Sequence, residues 1–326
     1  MKWLAVWLVT LGAALFAIAF TDSPRTIFFD SSTAGGSADR APTFNASALR
    51  FWKQTGLSKM PAEYYQGATS DRSGDLYFDG PFSGLYRTDL RLHETARNEH
   101  VIPPSVRSTE GYNHIGDISW DPREGGRLLL PLGCFYPKLG RRSNTCKTMS
   151  VGVADPRTLS WRYYVRLSPR YVNEAIWNEI APDGKLLWTS AGRDLLGYRV
   201  SEINPTNAGP GGRQLTPARR LTGVKPPIGI TGAAFYGGRL FLAGHHGGSG
   251  VFQIWSVELA RGTSVLEAQL KLIGESEGLD FINALGGVLH WQIQPYNREH
   301  KRPTYGYGHA TFLHFVPRAG PSRPAG

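Results

Sequence analysis

Apolar and polar positions alternate with a period of two in short runs along most of the chain, and the runs break at Gly, Pro, Asn or Asp. Such runs read as short β-strands separated by tight turns. Two of them overlay without a gap. The segment from Glu174 to Trp188 matches the segment from Glu277 to Trp291, with Glu174/Glu277, Ala181/Ala284, Gly184/Gly287, Leu186/Leu289 and Trp188/Trp291 coincident. The shared phase is a strand, a Gly turn and a second strand. Three further copies, Gly67 to Phe78, Ile115 to Leu130 and Thr231 to Leu242, carry the same phase. A third apolar run follows each copy: Gly84 to Leu90, Ser150 to Ala154, Leu195 to Val200, Gly250 to Trp255 and Ala310 to Val316. A fourth, more variable strand fits Trp161 to Leu167 and Leu266 to Ile273.

Antiparallel units of this kind, recurring roughly every fifty residues, predict an all-β chain folded as a β-propeller. Five units lie between residue 66 and residue 317, which predicts five blades; a six-bladed ring with one degenerate unit is the alternative. The fifth unit has no outer strand of its own, because Pro317 onward is a Pro/Gly tail that cannot pair. Residues Ala48 to Gln54, ahead of the first unit, are expected to supply it. Pairing the two chain ends closes the ring and removes the last open sheet edge. A single propeller domain over 45–317 follows, since no linker interrupts the repeat, with a disordered tail over 318–326.

The first residues set the compartment. Trp3 to Phe20 is an uncharged apolar run behind Lys2, and it ends in Ala17-Ile-Ala19, the small-x-small form of a cleavage site. A signal peptide over residues 1–19 is expected, with an uncleaved membrane anchor as the alternative, since eighteen apolar residues lie at the lower limit for a span. Residues 20–44, with their Ser/Gly/Ala stretch, read as a flexible spacer. Asn45-Ala-Ser47 is a glycosylation sequon, relevant in a eukaryotic host. Export also explains the cysteines. Cys134 and Cys146 are the only two, and both fall in one loop of the second unit. An isolated even pair in an exported chain predicts a disulfide that staples this loop. A two-thiolate metal site would need a C-x-x-C spacing and a second pair.

Charge changes the list of partners. With 36 Lys and Arg against 26 Asp and Glu, the net charge is +10. That field favours an anionic small molecule, glycan or protein. No basic stripe with interleaved aromatics is visible and the chain is expected outside the cell, so nucleic acid is not a predicted partner. Membrane attachment would run through residues 3–20.

In a propeller, the starts of the innermost strands and the loops between second and third strands emerge on one face, around the mouth of the axial channel. This gathers Gln66, His114, Asp117, Glu174 and Glu277 from the strand starts. From the loops it gathers Arg193, His245, His246 and the long Gln294 to His309 segment with Arg298, Tyr305 and His309. Long loops on rigid scaffolds commonly carry function. The ungapped overlay places Glu174 and Glu277 at equivalent points of two blades. Converging there, two carboxylates would bind a cation or act as acid and base; the alternative is that each caps backbone amides or is solvated. Adjacent His245 and His246 lack metal-ligand spacing, and a solvated loop is the plainer reading. Trp188, Trp255 and Trp291 fall within strands and are expected to pack between blades. No G-x-S-x-G, H-E-x-x-H or phosphate loop is present, which argues against the hydrolases and nucleotide enzymes that use them.

Ser276-Glu-Gly-Leu-Asp-Phe281 and Ala181-Pro-Asp-Gly-Lys-Leu-Leu-Trp188 resemble segments of the calcium-dependent lactonase, gluconolactonase-like and NHL-repeat propellers. Those families begin an inner strand with Glu-Gly-Leu/Ile and turn through Pro-Asp-Gly. The lactonase-like members hold a calcium ion in the channel through a Glu with Asn or Asp from other blades. Glu277 or Glu174 matches that Glu, whereas Ile115 and Thr231 break the ligand ring. No cofactor is therefore predicted, and calcium is the one ion that the resemblance raises. The expected function is recognition of an extracellular ligand, carbohydrate-like or protein, at the channel mouth. The alternative is a metal-assisted lactonase or esterase, or a glycoside hydrolase, using Glu174 and Glu277. A purely structural protein of the cell envelope would instead have a mouth plugged by side chains.

Overall fold

The computed structural model describes residues 51–64, 66–80, 82–134, 146, 148–172, 176–246, 251–271, 274–295 and 309–318. The expected signal peptide or anchor, the spacer, the sequon, Glu174, Arg298, Tyr305 and nearly all of the tail lie outside them. No helix among the described residues is long and apolar enough to cross a membrane.

The strands form five antiparallel sheets, one per repeat unit, so the chain is an all-β, five-bladed β-propeller. A leading strand, β1 (Trp52–Met60), precedes the first blade, which runs β2 (Gly67–Ser70), β3 (Asp75–Asp79), β4 (Leu85–Asp89) and β5 (Glu94–Asn98). A short helix, α1 (Pro104–Glu110), leads to the second blade. Its innermost position is divided into β6 (His114–Ile115) and β7 (Ser119–Asp121), and β8 (Arg127–Gly133), β9 (Ser150–Ala154) and β10 (Trp161–Arg166) follow. Blade three is β11 (Glu179–Ile180), β12 (Leu186–Ala191), β13 (Asp194–Arg199) and β14 (Arg219–Leu221). Blade four is β15 (Gly229–Tyr236), β16 (Arg239–His245), β17 (Val251–Glu258) and β18 (Thr263–Lys271). Blade five contributes β19 (Gly274–Ala284), β20 (Gly287–Pro295) and β21 (Ala310–Pro317).

The ring closes as the pattern predicted, with β1 as the outer strand of blade five. Trp52 sits opposite Pro317, and Met60 opposite Ala310. The closing strand nonetheless extends well past the expected Ala48 to Gln54. Trp52 is fully buried among Phe241, Phe281 and Trp291, which anchors the register. Pro61, which has no amide hydrogen, follows its last residue. Between these points an edge strand needs no apolar alternation. Its bulge at Gln54/Gly56 breaks what alternation there is.

Each pair of neighbouring blades encloses its own apolar cluster, so the core is distributed around the ring. Phe78 and Phe312 pack between blades five and one, Tyr77 and Leu130 between one and two, Leu129 and Leu196 between two and three. Trp177 and Leu240 pack between three and four, and Phe252 and Trp291 between four and five. Trp188 and Trp291 are buried as expected, and Trp255 is partly buried. Cys134 and Cys146 form the predicted disulfide, with their Cα atoms 5.3 Å apart.

At the axis the innermost strands meet backbone to backbone. A Cβ added at Gly116 would lie 2.2 Å from the Ile176 carbonyl oxygen, and one at Gly278 would lie 2.4 Å from the Ala68 nitrogen. Gly67 and Gly232 are equally confined. No side chain fits there, so four of the five blades carry Gly at this level. The Asp117 amide donates to the Ile176 carbonyl, and the Asn178 amide to the Asp117 carbonyl, joining blades two and three directly. The result is a narrow waist on the axis.

Candidate functional site

On the mouth side of the waist, the starts of the innermost strands come together. Gln66 donates its side-chain amide to a Glu277 carboxylate oxygen at 3.0 Å, linking blades one and five. The Ser276 hydroxyl accepts the Trp291 indole N–H at 2.9 Å and lies 3.3 Å from the Thr231 hydroxyl. Ser276 also donates its backbone N–H to Nε2 of His245 at 3.3 Å. The β16 end of blade four therefore touches the first residues of blade five, and strand starts and second loops do share a face. His245 is half-buried and stands edge-on to Phe252.

The waist itself is filled by Asp117. One carboxylate oxygen accepts the Ala68 amide at 3.1 Å, and the other accepts the Ala233 amide at 2.8 Å. A single side chain thus ties blades one, two and four across the axis. Burial pushes its carboxyl well above the ordinary carboxylate range, and the two amides oppose that shift.

Beyond the waist the axis opens on the opposite face, where each first strand turns into its second. Arg72, Pro182, Phe235, Tyr236, Gly237, Gly238 and Phe281 line a cavity of about 270 Å³ there. The Tyr236 and Phe281 rings stack with centroids 4.6 Å apart and planes within 9°. Arg72 is presented by a turn that Asp71 holds, its carboxylate accepting the amides of Ser73, Gly74 and Asp75 at 2.8, 2.9 and 3.0 Å.

Two acidic side chains stand immediately behind this lining. Glu179 accepts the Phe235 amide, and Asp280 directly precedes Phe281; both side chains are buried. Burial, reinforced by the Asp280 charge, pushes Glu179 up to about 8, against the pull of Arg72 and the Phe235 amide. Burial also raises Asp280, but only to about 6, because the Ser70 hydroxyl, the Phe281 amide and Arg72 favour its ionised form. At neutral pH the pair therefore holds one proton donor and one anion. Unequal carboxylates in one site are the usual arrangement for acid–base work.

The predicted residues divide accordingly. Gln66, Glu277 and His245 share the mouth, and Asp117 occupies the waist. His114 is half-buried at the start of β6, with burial pushing its imidazole down to about 4. Arg193 is exposed in the β12–β13 turn, where its carbonyl accepts the Lys225 amide. His246 is exposed with Nδ1 3.3 Å from the Pro227 carbonyl, and His309 is exposed ahead of β21. Sequence reasoning passed over Arg72, Glu179, Tyr236 and Asp280. The signal was present in Trp177-Asn-Glu-Ile180 and Leu279-Asp-Phe281, where a carboxylate interrupts an apolar innermost strand, since charged residues are rarely buried without a role. Among the described residues, no three His, Cys, Asp or Glu side chains are grouped to hold a metal ion. The calcium ring of the lactonase-like propellers finds no carboxylate at Ile115 or Thr231, so the residues present do not fit it.

No protein-family model and no curated protein matches the chain. Solved structures match it as folds. RS223 β-xylosidase superposes with a TM-score of 0.49 at 8% identity, over 80% of this chain and 94% of that one. Luciferin-regenerating enzyme gives 0.48 at 13% identity, over 84% and 95%. The Kuenenia stuttgartiensis hydrazine synthase chain gives 0.39 at 11% identity, over 76% of this chain, which spans only 60% of that one. Likeness at this level concerns the propeller fold alone.

Proposed function

We propose that this propeller is an exported recognition protein whose ligand is carbohydrate-like and docks in the cavity on the turn side of the waist. The observation that carries the reading is the pairing of aromatic faces with charge in one concavity. Tyr236, half-buried and stacked on the buried Phe281, offers an apolar wall, Arg72 offers a donor beside it, and the Glu179–Asp280 pair lies beneath the lining. Small-molecule sites combine apolar walls with convergent polar groups, and this lining, with Arg72 and the Gly237–Gly238 backbone, leans to the polar side that suits a hydroxylated ligand. A cavity of about 270 Å³ accommodates a single sugar ring. The mouth is the weaker candidate because Glu277, Gln66, Ser276 and His245 already engage one another. Export rests on the apolar run behind Lys2 and on the Cys134–Cys146 disulfide, a bond that persists in oxidising compartments.

Isothermal titration calorimetry with D-glucose, D-xylose, N-acetyl-D-glucosamine and D-glucuronate tests this reading. At least one sugar is expected to bind in the micromolar-to-millimolar range. Tyr236→Ala should weaken binding about tenfold through lost ring contact, and Arg72→Ala should weaken glucuronate most. Absence of binding by all four sugars, or wild-type affinity in both variants, would overturn it.

The unequal carboxylates favour one second reading, a glycoside hydrolase with Glu179 as general acid and Asp280 as general base. In that case turnover of p-nitrophenyl glycosides should follow a bell with limbs near 6 and 8, and Glu179→Gln should lower it by a factor of roughly 10² to 10⁴. A flat profile, or full activity in Glu179→Gln, excludes the hydrolase and leaves recognition.

A further inference from the structure

The closing blade carries a second polar constellation, apart from the axis. His290 on β20, His314 on β21 and Ser58 on β1 stand side by side across three adjacent strands. Nε2 of His290 lies 2.8 Å from the Ile282 carbonyl, Nδ1 of His290 lies 2.8 Å from Nδ1 of His314, and Nε2 of His314 lies 2.8 Å from the Ser58 hydroxyl. His290 is fully buried and His314 is 3 % exposed, while Ser58 is half-buried and retains solvent access.

The tautomers follow from these contacts. A carbonyl oxygen only accepts, so the proton of His290 is on Nε2. Burial pushes both imidazoles down to about 4, so both are neutral at pH 7, and His314 is a weaker base than an exposed imidazole and holds a proton only transiently. Nδ1 of His290 is then a bare acceptor, and His314 must donate to it from Nδ1. That leaves Nε2 of His314 as a lone pair aimed at Ser58, whose hydroxyl donates. Nucleophile, base and a group that orients the base are thereby in register. The Phe312 ring stacks on His290 with centroids 5.1 Å apart, which fixes the plane of the last member.

We propose that Ser58 is an activated nucleophile for acyl transfer from carboxylic esters, with His314 as its general base and His290 as the residue that positions His314. As the Ser58 oxygen bonds to the ester carbonyl carbon, its proton passes to Nε2 of His314. The imidazolium so formed keeps its Nδ1–H on His290. The bond from the carbonyl carbon to the leaving oxygen then breaks, and that oxygen takes the proton from Nε2, leaving an ester on Ser58. Water repeats the sequence, giving its proton to His314 and releasing the acid, while Ser58 recovers its proton. The nucleophile and base are 256 residues apart in sequence and meet only because β1 closes the ring.

Diisopropyl fluorophosphate tests the proposal on the full, disulfide-intact chain, because attack by a serine oxygen expels fluoride and leaves a stable phosphoryl adduct. One adduct is expected on the peptide containing Ser58, and none in Ser58→Ala. His314→Gln should slow labelling by about tenfold or more. His290→Leu should slow it too, whereas His290→Asn, whose side-chain carbonyl can accept the same Nδ1–H, should restore it. That rescue separates positioning from packing. Ser58→Ala removes one oxygen atom, so it remains informative if a histidine variant fails to fold. An unlabelled wild type at pH 8, an adduct on another residue, or labelling of folded His314→Gln at the wild-type rate would each overturn the assignment.

Discussion

The two ends of the axis are built from the same repeat yet hold opposite kinds of polar chemistry. At the mouth, Glu277 meets Gln66, Ser276 meets Trp291, and His245 meets the Ser276 amide, so side chains from three blades engage each other. At the turn end, Glu179 and Asp280 stand behind an aromatic wall, each raised by burial beyond what its donors and Arg72 offset. Mutually bonded polar groups hold a ring together, whereas under-compensated ones are stored at a cost and invite a ligand. The difference teaches that a repeat distributes residues around a channel evenly without distributing function evenly along it. Asp117 and the waist glycines keep the ends separate.

The strongest way to break that separation is Gly116→Ala. Its Cβ would meet the Ile176 carbonyl oxygen at 2.2 Å, and both atoms belong to backbone that is hydrogen-bonded across blades two and three. Neither can yield without opening the waist, so the expected loss is about 3 kcal/mol or more. Urea denaturation measures it, and a loss under 1 kcal/mol would show that the waist is not close-packed.

The turn end is sharpened by pH. Glu179 titrates near 8 when folded against an ordinary value near 4.5 when unfolded, so the folded chain holds a proton that the unfolded chain has released. Stability is therefore unaffected by this group at low pH and falls as pH rises towards 8, by about 2 kcal/mol between pH 6 and 8. Glu179→Gln keeps a neutral side chain throughout and should abolish that slope, gaining stability most at pH 8 and above. Thermal unfolding of both proteins across this range decides it; parallel curves would mean that Glu179 is not buried as described.

How much of this was legible depends on what each residue had to satisfy. Glycines at the turns and alternation inside the strands announced the five blades, because turn geometry and half-burial both leave a local trace. β5 and β14, with the sequences ETARN and RRL, left none, since an exposed outer strand can be polar throughout. β1 was legible only as far as Gln54 for the same reason. The overlay singled out Glu174 and Glu277 because it rewards equivalence between blades, and it brought the eye to the mouth. Glu179 and Asp280 fall at non-equivalent places, opposite Ile282 and Trp177 in that alignment, so the repeat leaves them unmarked. Their chemistry comes from the neighbouring blades. The Phe235 amide and the Arg72 charge reach them only in the folded ring, and no local pattern encodes either.

The smallest expected effect falls at the residue that the overlay placed first. Glu277→Gln keeps the shape of the side chain and its ability to accept from Gln66, while exchanging a carboxyl acceptor for a weaker amide one. Glu277 is only 4 % exposed, so the bond is sheltered, and its weakening should lower stability by about 1 kcal/mol or less. The waist lies between Glu277 and the aromatic cavity, and hence sugar binding at Tyr236 and Phe281 should stay within twofold of the wild type. Calorimetry on this variant beside Tyr236→Ala gives the comparison its sharpest form. If Glu277→Gln abolishes binding and Tyr236→Ala leaves it intact, the ligand sits at the mouth, and the assignment of the two ends is reversed.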